Sequence, residues 1–308
     1  MPSPRAGESR DDFLDRCIPE VVAEGRDPDQ AVAMCIAYYE GEKDKAFNVD
    51  KMGEVEYWKA FDRRRQSFQS KYERKIRKAI NEQLSVLSNA GTVADLRIDL
   101  PEQPIKDVYL ELYTDVGDVF ARRTWAGLKN MPYTETKQEP AWIERMRKYA
   151  LIDASARIAK VTQTTQKEVN AIIVAGLENG LSIDEIERLI LRGTNLPALP
   201  PNVYFPMPIQ QRLQLRARTI ARTEIISASN AGSLEGARST GLNFKKQWLA
   251  TSDMRTRDTH ASVDGQIRDK DEPFDVGGEQ LDYPGDPNSN NPGNVINCRC
   301  TQIYITED

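Results

Sequence analysis

The chain has 308 residues, a formal net charge of −5 and 39% hydrophobic residues. It is long enough to bury a substantial core and to hold two domains. The negative net charge argues against a protein that coats DNA, because such binding depends on neutralising phosphates, and four cysteines in a chain of this length exclude a disulfide scaffold.

Targeting signals are not apparent in the sequence. No apolar run approaches the roughly eighteen residues that a membrane helix needs. Residues 1–12 are charged and lack the apolar centre of a secretory signal. We therefore expect synthesis and assembly in a reducing cytoplasm.

The first 45 residues predict a helical hairpin followed by a charged linker. Apolar residues recur at helical spacing within residues 11–39, and residues 25–28 interrupt the pattern. Cys17 and Cys35 would face each other across the hairpin. Because a buried free cysteine behaves as a small hydrophobe, a shared apolar contact is favoured over the alternatives, a disulfide or half of a metal site.

Residues 46–200 predict an arm of long helices. The spacing of apolar residues predicts helices over residues 53–88, over 105–120, from Trp142, over 169–177 and after Ser182. The last of these opens with a capping box of Ser182 and Glu185. Apolar stripes cover more than one helix face. We therefore expect the arm to bury against a partner, and a fragment of residues 46–200 to self-associate.

A basic run lies in the first of these helices. Residues 63–78 hold eight cationic side chains and one acidic side chain. The cationic residues are Arg63, Arg64, Arg65, Lys71, Arg74, Lys75, Arg77 and Lys78. Local contact with DNA is one interpretation, and a solvated helix face is the alternative.

A proline-rich segment predicts the domain boundary. Five prolines between residues 196 and 208 exclude both a helix and a central strand. The predicted domains are therefore a hairpin with its linker, a helical assembly region, and a C-terminal module: residues 1–45, 46–200 and 201–308.

The C-terminal module has the pattern of an α+β domain. A helix is predicted over residues 209–239, and strands are predicted over 244–250 and 301–306. The two strands flank a long insert that is expected to lack regular structure and to need a cross-link that stabilises it. The predicted fold class is therefore mainly α, with a small, loop-rich α+β C-terminal domain of few strands.

Several short motifs follow one another in this module. They are Ala221-Arg222-Thr223-Glu224, Trp248, Asp253-Met254-Arg255-Thr256-Arg257, His260, Asp264-Gly265, the proline-rich loop 282–287 and Asn297-Cys298-Arg299-Cys300. Each is weak alone, but their combined order resembles the phage head-morphogenesis family, the minor head proteins similar to Mu protein F. The resemblance covers residues 205–308.

This resemblance implies a minor structural protein of a tailed-phage head. Such proteins associate with the portal protein and the major capsid protein, and act in head assembly and in genome packaging or delivery. The resemblance implies assembly in the host cytoplasm, a final place in the virion, self-association and contact with packaged DNA. Some relatives carry a toxin or transferase domain after the module. Because the chain ends eight residues past Cys300, we expect no such domain and no enzyme.

His260, Cys298 and Cys300 are candidate metal ligands. Two cysteines two residues apart on an extended segment point to the same side, and His260 folded over them would complete three ligands suited to zinc. The fourth ligand would be water or one of three carboxylates: Asp253, Asp258 or Asp264. The alternatives are a buried thiol pair, with the histidine bonded to loop carbonyls, and a hydrolase that uses His260 with a cysteine. We predict that the three side chains lie within reach of one another.

The remaining motif residues are expected to pin the insert. They are Arg222, Glu224, Trp248, Asp253, Arg257, Asp264, Gly265, Asn297 and Arg299. Arg222 and Glu224 are interpreted as ion-pairing groups that join helix to loop. The arginines of the insert, including Arg255, are interpreted as clamps for its many carboxylates, and Asp264-Gly265 is interpreted as a turn.

Overall fold

The computed structural model describes residues 9–23, 27–28, 31–32, 35, 46–131, 140–192, 209–251 and 253–306. The helices are α1 (Arg10–Ala23), α2 (Val49–Met52), α3 (Glu54–Ser85), α4 (Val93–Leu96), α5 (Gln103–Leu128), α6 (Trp142–Lys148), α7 (Ser155–Glu178), α8 (Ile183–Arg192), α9 (Ile209–Arg238) and α10 (Asp258–Ala261). A π-helical segment, Tyr149–Asp153, joins α6 to α7. The strands are β1 (Phe244–Leu249), β2 (Ile267–Asp269), β3 (Phe274–Val276), β4 (Glu279–Leu281) and β5 (Thr301–Thr306).

The predicted fold class is confirmed, and several helix boundaries follow the expected local chemistry. Gly53, at φ +73°, separates α2 from α3, a backbone conformation that other residues rarely adopt. Ser182 and Glu185 form the predicted capping box at the start of α8. Within the described residues, no helix combines the length and the apolar character needed to cross a membrane.

The N-terminal hairpin contains a disulfide between Cys17 and Cys35. The prediction of a thiol contact without a bond is therefore wrong. The two Cα atoms lie 6.0 Å apart, which is within the range that a disulfide spans. Phe13, Val21 and Ala31 surround the bond in a small apolar cluster. Most of the predicted second helix lies outside the described residues.

Helix α9 packs along α5, and α3 packs against both. The approach of α9 to α5 is close because small residues line the crossing. A Cβ built on Gly232 would lie 2.3 Å from the carbonyl oxygen of Gly117, and one on Gly236 would lie 2.2 Å from that of Ala121. The backbones of the two helices are therefore in direct contact, with no room for a side chain between them.

One hydrophobic core extends from the arm into the module. It includes side chains from α3, α5, α7, α8 and α9, together with Leu249 of β1 and Ile303 of β5. Much of the apolar surface of the arm is therefore covered by α9 of the same chain. Burial of the arm against a partner, and self-association of the fragment of residues 46–200, stay predictions. Helical periodicity shows that a face is apolar but does not show what covers it. The predicted boundary at residues 196–208 lies outside the described residues.

The module contains a three-stranded antiparallel sheet in the order β2-β1-β5. Trp248 pairs with Gln302, and Leu249 pairs with Thr301, so the two predicted strands are neighbours. The insert between them is more regular than expected, because β3 and β4 form a hairpin across Gly277 and Gly278. Both glycines have positive φ, as the tight two-residue turn requires.

Gly232→Ala should destabilise the chain by about 1–3 kcal/mol, because the added methyl group meets backbone that cannot move aside. Urea unfolding of the full chain measures the loss. Gly91→Ala is the matched control, since its Cβ would meet only the Asp95 carboxylate, at 3.8 Å. Equal free energies of unfolding for the Gly232 variant and the wild type would contradict the close packing of α5 and α9.

Candidate metal centre

His260, Cys298 and Cys300 meet in the interior of the module. The imidazole Nδ1 lies 3.7 Å from the Sγ of Cys298 and 3.4 Å from the Sγ of Cys300. The three candidate ligand atoms lie within 4.8 Å of one another. The exposed fractions of the three residues are only 2%, 1% and 2%, respectively. The structure thus brings together the residues that the sequence pairs across the insert.

A left-handed residue positions the two thiols. Asn297 has φ +53°, a conformation that asparagine tolerates better than most residues. Its backbone N–H donates to the Oγ1 of Thr223 at 3.2 Å, so the ARTE motif on α9 holds the NCRC motif directly. The N–H of Cys298 donates to the carbonyl of Val295 at 3.1 Å. These contacts aim both cysteines at His260.

The histidine is held by its helix and by aromatic packing. Its backbone N–H donates to the carbonyl of Arg257 at 2.9 Å, at the start of α10. The ring of Trp248 meets the imidazole in a T-shaped contact with centroids 5.7 Å apart, and also packs against Phe274. Among the described residues, no hydrogen-bond partner reaches the buried Nε2. Only Nδ1 of the imidazole is therefore engaged.

The two thiols affect each other's ionisation. A hydrogen bond from Cys298 lowers the pKa of Cys300, and the same bond raises the pKa of Cys298. Burial raises both values, whereas His260 further lowers the pKa of Cys300. Cys300 is therefore the thiol that ionises first.

The three predicted carboxylate ligands lie elsewhere. Asp253 accepts two hydrogen bonds from the guanidinium of Arg299, at 2.5 and 2.6 Å, and these hydrogen bonds hold its pKa well below the usual range. Asp264 accepts from the N–H of Ala250 at 2.8 Å, and Asp258 is exposed at the start of α10. Within the described part of the chain, none of the three joins the candidate ligand group. The structure therefore gives no support to a fourth ligand from these carboxylates, and an ion pair and a turn engage Asp253 and Asp264.

The pinning role of the insert's other residues is observed in part. Arg299 forms the bidentate clamp described above, whereas Arg257 donates to the carbonyl of Ile296 at 2.6 Å instead of binding a carboxylate. Arg255 makes a longer contact, 3.4 Å, with Asp253 at the surface. Gly265 has φ +74° and forms the predicted turn.

Arg65 is the residue that sequence reasoning placed wrongly. It is buried, and its guanidinium donates to Ser229 Oγ at 2.7 Å and Asn230 Oδ1 at 2.8 Å on α9. It also donates to the carbonyls of Arg299 at 3.3 Å and Cys300 at 3.2 Å. Arg65 therefore cannot contact DNA. It links α3 to α9 and to the segment that carries both thiols.

A signal for this burial is present in the sequence. Arg65 lies four residues after Phe61 and three before Phe68, on the apolar face of α3, and its guanidinium stacks 4.6 Å from the Phe61 ring centroid. A lone arginine on an apolar stripe indicates a buried hydrogen-bonded cation more directly than a solvated one.

Asn230 completes the network around Arg65. Its Oδ1 accepts from Arg65 and from Thr301 Oγ1 at 3.0 Å. Its Nδ2 donates to the carbonyls of Pro284 at 2.7 Å and Cys300 at 3.2 Å. One asparagine thus joins α9, the proline-rich loop and the start of β5.

The rest of the basic run divides between paired and exposed side chains. Lys71 contacts Asp115 of α5 at 2.5 Å, and Lys75 pairs with Glu111 of the same helix. The guanidinium of Arg64 lies 5.0 Å from the ring centroid of Phe68. The exposed members are Arg63, Arg74 and Lys78, of which Lys78 also pairs with Glu82 at 3.4 Å, and Arg77 is partly exposed. Contact with DNA stays a prediction for this subset.

Glu224 of the ARTE motif forms a buried ion pair, but with a residue of the arm. Its carboxylate lies 2.9 Å from the guanidinium of Arg157 on α7 and accepts from the Tyr113 hydroxyl at 3.0 Å. Burial raises the pKa of Glu224, and Arg157 opposes that rise. Arg222 is exposed and faces the amide of Gln69 on α3. Glu224 was predicted to join α9 to the loop of the insert, but it instead joins α9 to α7 of the arm.

Lys246 of β1 binds the proline-rich loop of residues 282–287. Its buried ammonium donates to the carbonyl of Asp282 at 2.7 Å and lies 4.9 Å from the ring centroid of Phe274. Burial lowers the pKa of Lys246 to about 8, and nearby carboxylates oppose this shift. This lysine was not identified from the sequence.

Sequence comparisons agree with the residues that build this centre. The family described as "Phage Mu protein F like protein" matches residues 167–303, a range that includes α9, the NCRC motif and all three candidate ligands. The described residues form a helical protein with a small α+β module, in which His260, Cys298 and Cys300 lie together. This part of the chain matches the Mu F-like family, and the resemblance noted from the motifs is confirmed.

Individual relatives have different names. The minor head protein GP7 of Bacillus phage SPP1 is 34% identical over 105 residues, 32% of this chain and 33% of that protein. NAD(+)--arginine ADP-ribosyltransferase EFV of Enterococcus faecalis is 31% identical over 156 residues, 50% of this chain and 28% of that protein. The uncharacterized protein YqbB of Bacillus subtilis is 31% identical over 160 residues, 50% of this chain and 47% of that protein. The matches thus cover less than half the length of each relative. No solved structure matches the chain.

Arg65→Met should lower the free energy of unfolding by about 3 kcal/mol, because it removes the buried hydrogen bonds that the guanidinium donates to Ser229, Asn230 and two backbone carbonyls. Urea unfolding followed by circular dichroism measures the change. Arg63→Met, on the exposed face of the same helix, is the control and should change stability little. Equal stabilities of the two variants would contradict the assigned role of Arg65.

Lys246 should make stability rise with pH between about 8 and 10.5. Its pKa is lower in the folded chain than the ordinary value of 10.5, so within this window the unfolded state binds more protons. Raising the pH therefore favours folding of the wild type relative to Lys246→Met. Urea unfolding at several pH values measures the difference. Lys245→Met, on the opposite face of β1, is the control and should follow the wild type. A difference between wild type and Lys246→Met that does not vary with pH would contradict the burial of a charged lysine.

Proposed function

We propose that this chain is a minor structural protein of a tailed-phage head that acts in head morphogenesis. The observation that carries the proposal is the family match over residues 167–303, which includes α9 and all three candidate metal ligands. The similarity to the minor head protein GP7 of Bacillus phage SPP1 supports it. In this role the chain is a component of the particle, and its module has to stay folded through assembly.

We further propose that the chain associates with the portal protein and the major capsid protein, and that it takes part in genome packaging or delivery. It assembles in the host cytoplasm and ends in the virion. The continuous core between arm and module supports a rigid body that is presented to other head proteins as a unit. The exposed cations of α3 offer a local surface for packaged DNA, namely Arg63, Arg74 and Lys78.

The buried centre supports this role over that of a hydrolase. A catalytic His260 and its cysteines would have to meet a substrate, yet each of the three side chains is about 98% or more buried beneath Trp248 and the insert. The transferase activity in the name of the Enterococcus faecalis relative belongs to a protein of which the match covers 28%. The described residues supply a scaffold, and we assign them no catalytic step.

The proposal predicts that the chain is present in purified particles. Particles produced from the genome that encodes it, banded in a density gradient and analysed by mass spectrometry, should contain the chain in low copy number relative to the major capsid protein. Deleting the gene should lower the yield of infectious particles at least about tenfold, a drop well beyond assay scatter.

Complementation adds a matched pair of variants. Arg63→Met should restore infectious particles, and Arg65→Met should restore fewer, because only the second destabilises the junction of arm and module. Affinity purification of the full chain from infected cells tests the portal contact. Particles that lack the chain, together with an unchanged yield after deletion, would overturn the proposed function.

A further inference from the structure

We propose that His260, Cys298 and Cys300 bind one Zn²⁺ ion through the imidazole Nδ1 and the two Sγ atoms. The described residues supply three ligands, and a water molecule completes the tetrahedron. The site is structural. It fastens α10 to the segment before β5 and closes the insert between them.

The distances around Nδ1 fit a shared metal ion. Ligand bonds near 2.3 Å for sulfur and 2.0–2.1 Å for nitrogen, at the tetrahedral angle, place each sulfur about 3.5 Å from the nitrogen. The observed separations are 3.7 Å for Cys298 and 3.4 Å for Cys300. The Cys298 distance is therefore slightly longer than the expected separation and the Cys300 distance slightly shorter, each by about 0.2 Å or less.

Hydrogen bonding alone accounts for this arrangement less well. Nδ1 has a single site, either a lone pair or a proton, yet two sulfurs converge on it. A metal ion on Nδ1 uses all three donors at once and fixes the proton on Nε2.

Charge balance also suits the interior of the module. Binding converts two thiols to thiolates and releases two protons, so Zn²⁺ with both cysteines carries no net charge. A neutral site avoids the cost of an uncompensated buried charge.

The bound ion would stabilise the fold by closing the insert between His260 and the two cysteines. His260 is 38 residues from Cys298 and 40 from Cys300 in sequence. The insert between them packs a small apolar group: Val263, Phe274, Val276 and Leu281. Closing a loop of this length removes freedom from the unfolded chain, and metal binding adds directly to folding stability.

The test uses the full chain, purified under reducing conditions. We expect about one zinc per chain by elemental analysis, because the described residues contain one three-ligand group. Adding Co²⁺ to chain freed of zinc should produce the visible absorption of tetrahedral cobalt and a thiolate charge-transfer band. Chelation should lower the melting temperature, and Zn²⁺ should restore it. Wild-type chain that takes up neither metal and melts at the same temperature with and without Zn²⁺ would overturn the proposal.

Variants then locate the ion. Cys300→Ser and His260→Ala should reduce bound metal at least about tenfold, because each leaves only two ligands. His260→Cys keeps a third ligand, so it should retain metal with an altered cobalt spectrum. Asp258→Asn is the matched control and should bind as the wild type does, because that carboxylate is exposed and lies outside the ligand group.

The hairpin cysteines provide the second control. Cys17→Ser with Cys35→Ser removes the other sulfur pair and should leave the metal content unchanged. Metal that persists in Cys300→Ser but disappears in the hairpin variant would place the ion elsewhere and refute the site. None of these outcomes depends on the role of the chain in the phage head.

Discussion

The structure depends on one buried cation. The guanidinium of Arg65 extends from α3 through the interior and donates to Ser229 and Asn230 on α9 and to the carbonyls of Arg299 and Cys300. A buried charge is tolerated only when its donors are satisfied, so these acceptors must be in place together. That requirement sets the position of the thiol-bearing segment relative to the arm. The candidate metal centre is therefore built on the helical arm as much as on the module.

The same constraint explains why arm and module share a core. Gly232 and Gly236 bring α9 against the backbone of α5, and Glu224 of α9 pairs with Arg157 of α7 inside the interface. Buried polar pairs of this kind specify one arrangement of helices more strongly than apolar packing does, because a shifted register leaves charges unpaired. The module, which lies mostly within the range that matches the Mu F-like family, thus rests on a helix that is also central to the arm.

Sequence periodicity predicted α3, α5 and α9, and alternation predicted β1 and β5, because each pattern repeats locally along the chain. The pairing of His260 with Cys298 and Cys300 followed from ligand chemistry and the composition of the insert. What was missed depends on tertiary context. Arg65 belongs by charge to a basic run and by position to an apolar stripe, and only the fold decides between them. The β3–β4 hairpin, by contrast, had a local signal in Gly277-Gly278, which was not used.

We expect arm and module to unfold as one cooperative unit that depends on the hydrogen bonds of Arg65. Native-state hydrogen exchange of the full chain measures this directly, by comparing the opening free energies of amides in α5 with those in β5. We expect the amides of α5 and β5 to open at the same free energy in the wild type. In Arg65→Met, the opening free energy of both sets should fall by the same amount. Exchange of β5 at a markedly lower free energy than α5 in the wild type would contradict it, because the module would then open independently of the arm.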